Sequence, residues 1–178
     1  MIRSTNQLLF FCILLCGIYL LNSCSTSVSF SGRERGISTY ILVRHAENDS
    51  NDPKDPDLSS AGRIRALKLA ELFGEWEIDE FYTSDYKRTR QTIAPLLDIK
   101  RKRANTYDPS KLEAFSNQLK SMTNRTILVV GHSNSTPHLA NFLGENSQFE
   151  EWAETEYGNI VIVQRAAGHE PKVSVLKY

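Results

Sequence analysis

Apolar residues recur along the chain in two rhythms. Unbroken runs such as Tyr40-Ile41-Leu42-Val43 and Ile127-Leu128-Val129-Val130 are rich in β-branched residues and bounded by polar ones, the signature of strands buried on both faces of a parallel sheet. Between them, apolar residues return every three or four positions. Ile64, Leu67, Leu69, Ala70 and Phe73 give one such helix face, and Leu112, Phe115 and Leu119 give another.

In order, the pattern predicts a strand over Ile37–Val43, then a loop over Asn48–Asp57 crowded with Asn, Asp, Ser and Pro. A helix follows, capped by Ser59 or Ser60 and closed by Gly74. A short strand at Ile78–Thr83 leads to a helix over Asp85–Leu97 that contains Pro95. The basic run Lys100–Arg103 reads as a solvated edge before a short strand around Arg103–Thr106. Asp108-Pro109-Ser110 opens a third helix, Thr126–Val130 is a strand, and Ser135–Leu143 is a fourth helix with Pro137 in its first turn. Ile160–Gln164 and Val173–Leu176 read as a closing hairpin turned at Gly168. Strand and helix alternate, so the expected fold is α/β: a three-layer α/β/α sandwich with a mainly parallel sheet and an antiparallel edge.

Length and charge bound this picture. The chain of 178 residues suits one domain, and its 21 basic and 21 acidic residues leave no net charge to point to nucleic acid. Any cationic site is therefore local. The first residues read as an export signal. Arg3 precedes the apolar run Leu8–Leu21, whose 14 residues fall short of the roughly 20 needed to cross a bilayer as a helix. Leu21-Asn22-Ser23-Cys24 resembles a bacterial lipobox. That resemblance implies lipidation of Cys24 in an exported, membrane-anchored lipoprotein of a bacterial cell envelope, with a signal peptide over 1–23. The small, polar residues that follow read as a flexible tether over 24–36, which leaves a folded domain over 37–178. Cys12 and Cys16 would leave with the signal, so the mature chain keeps one cysteine and forms neither an internal disulfide nor a cysteine-based metal site.

The candidate chemistry lies at strand ends. Three predicted strands finish in Arg44-His45, Thr83-Ser84 and Gly131-His132. In a parallel sheet these ends share one edge, where open α/β sheets bind ligands. The residue types suit a phosphoryl group. Arg44 and Arg88 offer planar forks for its oxygens, and the early helical position of Arg88 adds the positive helix end. A neutral His45 is a nucleophile able to form a covalent intermediate, His132 a further donor to the transition state. The leaving oxygen then needs a proton. Asp108 is the candidate donor and is equally a helix cap; Glu113 is the alternative, and more simply a solvated helix position. Glu47 reads as a loop-orienting residue or an arginine partner.

Four ordered motifs resemble the histidine phosphatase superfamily, the phosphoglycerate mutase-like group. They are Arg44-His45-Ala46-Glu47, Leu58-Ser59-Ser60-Ala61-Gly62, Ser84-Asp85-Tyr86-Lys87-Arg88-Thr89-Arg90-Gln91-Thr92 and Gly131-His132-Ser133. The resemblance implies a phosphohistidine intermediate on His45, a phosphate pocket of Arg44, Arg88 and His132, and no metal or cofactor. The expected activity is hydrolysis of phosphate monoesters, on a phosphorylated small molecule or a phosphoprotein. A mutase-like phosphotransferase is the first rival, but the short interval between Arg88 and Thr126 leaves little room for a covering insertion. A catalytically idle phosphate-binding module is the second, and the intact set of four residues argues against it. Ala46 stands where the family has glycine, which is tolerable unless the backbone there requires a positive φ.

Overall fold

The computed structural model describes residues 36–178. The expected signal peptide over 1–23, Cys24 and nearly all of the tether over 24–36 lie outside them. Ten elements follow one another: β1 (Ile37–Arg44), α1 (Ser60–Phe73), β2 (Glu80–Thr83), α2 (Lys87–Lys100), β3 (Asn105–Thr106), α3 (Leu112–Ser121), β4 (Thr126–Gly131), α4 (Ser135–Gly144), β5 (Asn159–Ala166) and β6 (Lys172–Lys177).

The strands form one sheet in the order β3-β2-β4-β1-β5-β6. The first four are mutually parallel, while β5 and β6 run antiparallel. The unbroken apolar run of β1 explains its central place. Tyr40 and Leu42 face one side, among Phe115, Leu119, Leu139 and Leu143 of α3 and α4. Ile41 and Val43 face the other, among Leu69, Phe73, Ile93 and Leu96 of α1 and α2. Both faces are thus covered, giving the expected three-layer sandwich with an antiparallel edge. Register puts Arg44 opposite Gly131 and Thr83 opposite Val130, so the ends of β1, β2 and β4 converge.

Two sequence expectations change. The buried face of α1 is Gly62, Ala66, Leu69, Ala70 and Phe73, whereas Ile64 and Leu67 are exposed. Small residues win the inward positions because α1 starts hard against the loop after β1, where Ala46, Leu58 and Ala66 cluster. The basic run is more than a solvated edge. Lys100 donates to the carbonyl of Trp76 at 2.6 Å and Lys102 to those of Ile78 and Asp79 at 2.7 and 2.9 Å, pinning the α1–β2 connection to the end of α2.

Candidate active site

Where β1 runs out, its backbone is held by neighbours on both sides. His45 N–H donates to Gly131 O at 2.9 Å, and Ala46 N–H to the Thr92 hydroxyl at 2.9 Å. Thr92 in turn donates to the carbonyl of Arg88. Ala46 is buried and is not among the residues with positive φ, so its methyl causes no backbone strain. Glu47 forms a bidentate pair with Arg65, whose Nε and Nη2 lie 2.6–3.0 Å from its oxygens. These bonds from Arg65 hold the Glu47 carboxyl below its usual range. Glu47 is thus an arginine partner that fastens α1 to the loop.

Gly62 makes this closeness possible. A Cβ there would lie 2.0 Å from the backbone oxygen of Glu47, the same oxygen that accepts from Ser59 N–H at 2.9 Å. Ser59 caps α1 by accepting from Gly62 N–H. The 58–62 motif is therefore a docking joint between α1 and the loop that carries His45.

The motif from Ser84 to Thr92 divides its labour by helix face. Arg88 points into the site, stacked over Tyr86 at 4.4 Å and 3.3 Å through Nη2 from His132 Nδ1. Gln91 accepts from Leu58 N–H and donates to Asp57, anchoring the Asn48–Asp57 loop. Asp55 in that loop caps the helix by accepting from Lys87 N–H at 2.8 Å and sits 3.8 Å from Arg88 Nη1. Ser84, wholly buried, lies 2.8 Å from His132 Nε2.

At the end of β4, Gly131 has no room for a side chain. A Cβ would meet the hydroxyls of Thr136 and Tyr107 at 2.7 Å and that of Ser135 at 2.9 Å. His132 follows, its N–H bound to the Ser135 hydroxyl. The two histidine rings stand edge to face with centroids 5.4 Å apart.

His45, Arg88 and His132 thus line one cleft of about 620 Å³, with Asn48, Lys54, Tyr86, Ser133 and Glu154 around it. His45 donates from Nδ1 to its neighbour's carbonyl, Ala46 O, at 2.8 Å. A carbonyl can only accept, so the proton sits on Nδ1 and the lone pair on Nε2 is free. Burial, together with Arg44 and Arg88, pushes the His45 imidazole down to about 4. Burial, then the nearby charges with Arg88 first, pushes His132 down to about 3. Both rings are neutral near pH 7, as a nitrogen nucleophile requires.

Arg44 stands apart from the simple clamp expected of it. Its guanidinium is buried under the segment before β5. Nη1 donates to Ala153 O and Glu156 O at 2.8 Å each, and Nη2 to Glu154 O at 3.1 Å and to Glu154 Oε2 at 2.8 Å. Tyr157 lies over it at 4.1 Å. Among the described residues, Nε alone of its nitrogens has no partner.

The expectation that Asp108 donates the proton does not fit its position. Its carboxylate accepts from the Ser110 hydroxyl at 2.7 Å and the Ser110 N–H at 3.0 Å. It edges an adjoining hollow with Asp85, Tyr86 and Thr106, and is not among the residues lining the His45 cleft. The bonds from Ser110 hold its carboxyl below the usual range, the wrong direction for an acid near neutrality. Nor is it the cap of α3, which is Lys111. Glu113 is exposed on α3, also outside the cleft lining.

Residues 40–110 match the family model of the histidine phosphatase superfamily, branch 1. That stretch of the chain is similar to the superfamily. A Schizosaccharomyces pombe relative named "probable phosphatase" is 36% identical over 66 residues, 34% of this chain and 32% of the relative. Phosphoserine phosphatase 1 of Hydrogenobacter thermophilus is 38% identical over 66 residues, 34% of this chain and 31% of its own. The match thus spans about a third of the length of these curated relatives. Among solved structures, that of the protein histidine phosphatase SixA with tungstate superposes with a TM-score of 0.63 at 14% identity, covering 78% of this chain and 96% of SixA.

The fold brings three of the sequence-predicted residues, His45, Arg88 and His132, to one cleft and places Arg44 beneath its wall. Sequence reasoning missed Glu154, whose carboxylate bridges Arg44 and the Ser133 hydroxyl at 2.8 and 2.7 Å. It also missed Tyr157. Both lie in the stretch Glu150–Tyr157, which has no periodicity and no motif. No pattern in the sequence pointed to them, because the placing of the start of β5 beside the end of β1 is visible only in the sheet register.

Proposed function

We propose that this chain is a phosphatase that hydrolyses phosphate monoesters through a phosphohistidine intermediate on His45. The observation that carries this reading is the state of His45: buried, neutral, its proton tied to Ala46 O and its Nε2 lone pair unengaged, beside Arg88 and His132. In the first step Nε2 forms a bond to phosphorus as the ester P–O bond breaks, and the leaving oxygen departs with the electron pair and takes its proton from water. In the second, water attacks the phosphohistidine, phosphate departs and the lone pair returns to Nε2. Arg88, the remaining Nε of Arg44 and His132 are assigned to the phosphoryl oxygens. Asp108 would enter the first step only if the turn at Ser110 released it. An aryl phosphate, whose leaving group departs as a stable anion, is therefore the substrate of choice for a first assay.

The names of the relatives support two substrate classes, phosphorylated small molecules and phosphoproteins, and a screen of both on the full chain tests the reading. Phosphate release that vanishes in His45→Ala, with an acid-labile phosphoryl group trapped on the parent, is expected. Equal release by parent and variant would remove His45 as the nucleophile. The lipobox-like Leu21-Asn22-Ser23-Cys24 supports export and anchoring through Cys24. Fractionation of a Cys24→Ala variant tests that part: retention in the membrane after signal cleavage would count against lipidation.

A further inference from the structure

Behind the cleft, a chain of buried hydroxyls runs from His132 to the base of α2. Ser84 Oγ lies 2.8 Å from His132 Nε2 and 3.1 Å from Thr89 Oγ1. Thr89 Oγ1 lies 2.9 Å from both the Ser84 and the Tyr86 carbonyl. Both hydroxyl residues are fully buried.

Chemistry gives each link a direction. A guanidinium has no acceptor, so Arg88 Nη2 donates to His132 Nδ1 at 3.3 Å, and Nδ1 carries the lone pair. The single proton of the neutral ring is then on Nε2, where Ser84 Oγ accepts it. The Ser84 hydrogen points to Thr89 and the Thr89 hydrogen to backbone carbonyls, which have no proton to give back. The chain is a dead end that holds the ring proton in place.

We propose that Ser84, oriented by Thr89, is a positioning residue that fixes the proton of His132 on Nε2. Nδ1 then meets the phosphoryl group as an acceptor, and the site takes its substrate with one non-bridging oxygen protonated. The second half rests on the phosphatase reading above. When the phosphoryl group enters, Arg88 Nη2 turns from Nδ1 to its oxygens and the P–O–H of a monoanion replaces it as donor to Nδ1; a dianion instead turns an oxygen toward a lone pair. The second proton of a phosphate ester leaves at about pH 6, so activity declines above it.

The groups facing His132 are Arg88 from α2, Arg44 and His45 from the end of β1, Tyr86 edge-on, and Glu154 from the segment before β5. Both arginines stay charged throughout, and His45 is neutral down to about 4. The decline near pH 6 is thus assigned to the substrate, and it moves with the second pKa across a series of ring-substituted aryl phosphates.

Nitrogen-15 correlation spectra of the histidine rings of the full chain test the first half without turnover, with His132→Gln assigning the signal. The expected result at pH 7 is a His132 protonated on Nε2. Ser84→Ala is expected to populate the Nδ1-protonated form, to lower kcat/KM at pH 6 by roughly 10²-fold, the scale of one misdirected group at a transition-state oxygen, and to abolish the decline above pH 6. Thr89→Val is expected to act in the same direction and Thr89→Ser to restore the parent, which covers a Ser84→Ala chain that does not fold. An Nδ1-protonated His132 in the parent overturns the proposal. So does a Ser84→Ala or Thr89→Val protein with unchanged tautomer and unchanged pH profile. If no aryl phosphate is hydrolysed by the parent, the phosphatase reading falls, and the spectra still decide the tautomer.

Discussion

Replacing Gly62 with alanine probes the joint on which the site depends. The added Cβ would stand 2.0 Å from Glu47 O, 3.0 Å from Glu47 C and 3.1 Å from Glu47 N, where ordinary contact begins near 3.4 Å. All three atoms are backbone, so no flexible side chain can swing away. The start of α1 and the 45–48 loop must part by about 1.4 Å at the closest pair. The Ser59 N–H to Glu47 O bond and the Glu47–Arg65 pair lie in that gap. Overpacking of this kind costs about 1–3 kcal/mol. For a domain of this size that is a fall in Tm of roughly 3–12 °C. The loop also carries His45, and a displacement on the order of 1 Å at a reacting group costs about 10²-fold in rate. Calorimetric unfolding and phosphate release from an aryl phosphate, measured on the same preparation, read both effects. A Gly62→Ala protein with the parent's Tm and the parent's kcat would refute the docking-joint account.

Thr92→Val removes the hydroxyl that accepts from Ala46 N–H at 2.9 Å; an orphaned buried donor costs about 1–3 kcal/mol, and chemical denaturation is expected to show that loss. Because His45 and His132 are held at about 4 and about 3, against 6.5 when exposed, the unfolded chain binds more protons below pH 6.5. Stability is therefore expected to fall as pH drops from 6.5 toward 4, and Tm measured in phosphate-free buffer should show a shallower fall in a His45→Gln, His132→Gln double variant. Glu47 has the opposite chemistry but the same slope: its carboxyl is depressed by Arg65, so its contribution is present above 4.5 and lost as pH falls through the folded value. Glu47→Gln should flatten the Tm profile below 4.5 and leave it unchanged above pH 6.5 in slope.

What was legible in the sequence follows from how local each cause is. Strands buried on both faces announce themselves as apolar runs, so β1 and β4 were plain. The alternation with helices then dictated a parallel sheet and a shared edge for Arg44, Thr83 and Gly131. Ser59 was readable as a cap because capping is a matter of three residues. The inward face of α1 was not, because Gly62 and Ala66 are chosen by how closely a distant loop approaches, and Ile64 and Leu67 merely look more hydrophobic. Asp108 before Pro109 reads equally as cap and acid from sequence; in the structure its carboxylate is engaged by the Ser110 hydroxyl two residues on, a contact that no pattern in the sequence announces.

Arg44 shows how a residue picked out by its motif can carry a structural role that the motif does not announce. An arginine beside the nucleophile suggests a fork open to phosphate. Yet both terminal nitrogens are turned to the carbonyls of residues 153, 154 and 156, three acceptors aligned on one cation. A guanidinium so enclosed fastens the segment before β5 to the end of β1, and its charge still reaches His45, where it helps hold the ring neutral. The Nε left over is the single donor Arg44 can turn toward a phosphoryl group without releasing that segment. Lysine would keep the charge but has one nitrogen to serve both tasks. On the proposed phosphatase reading, the segment and the contact to a phosphoryl oxygen would thus be coupled through one side chain, with Glu154 as the exposed carboxylate resting on the same group.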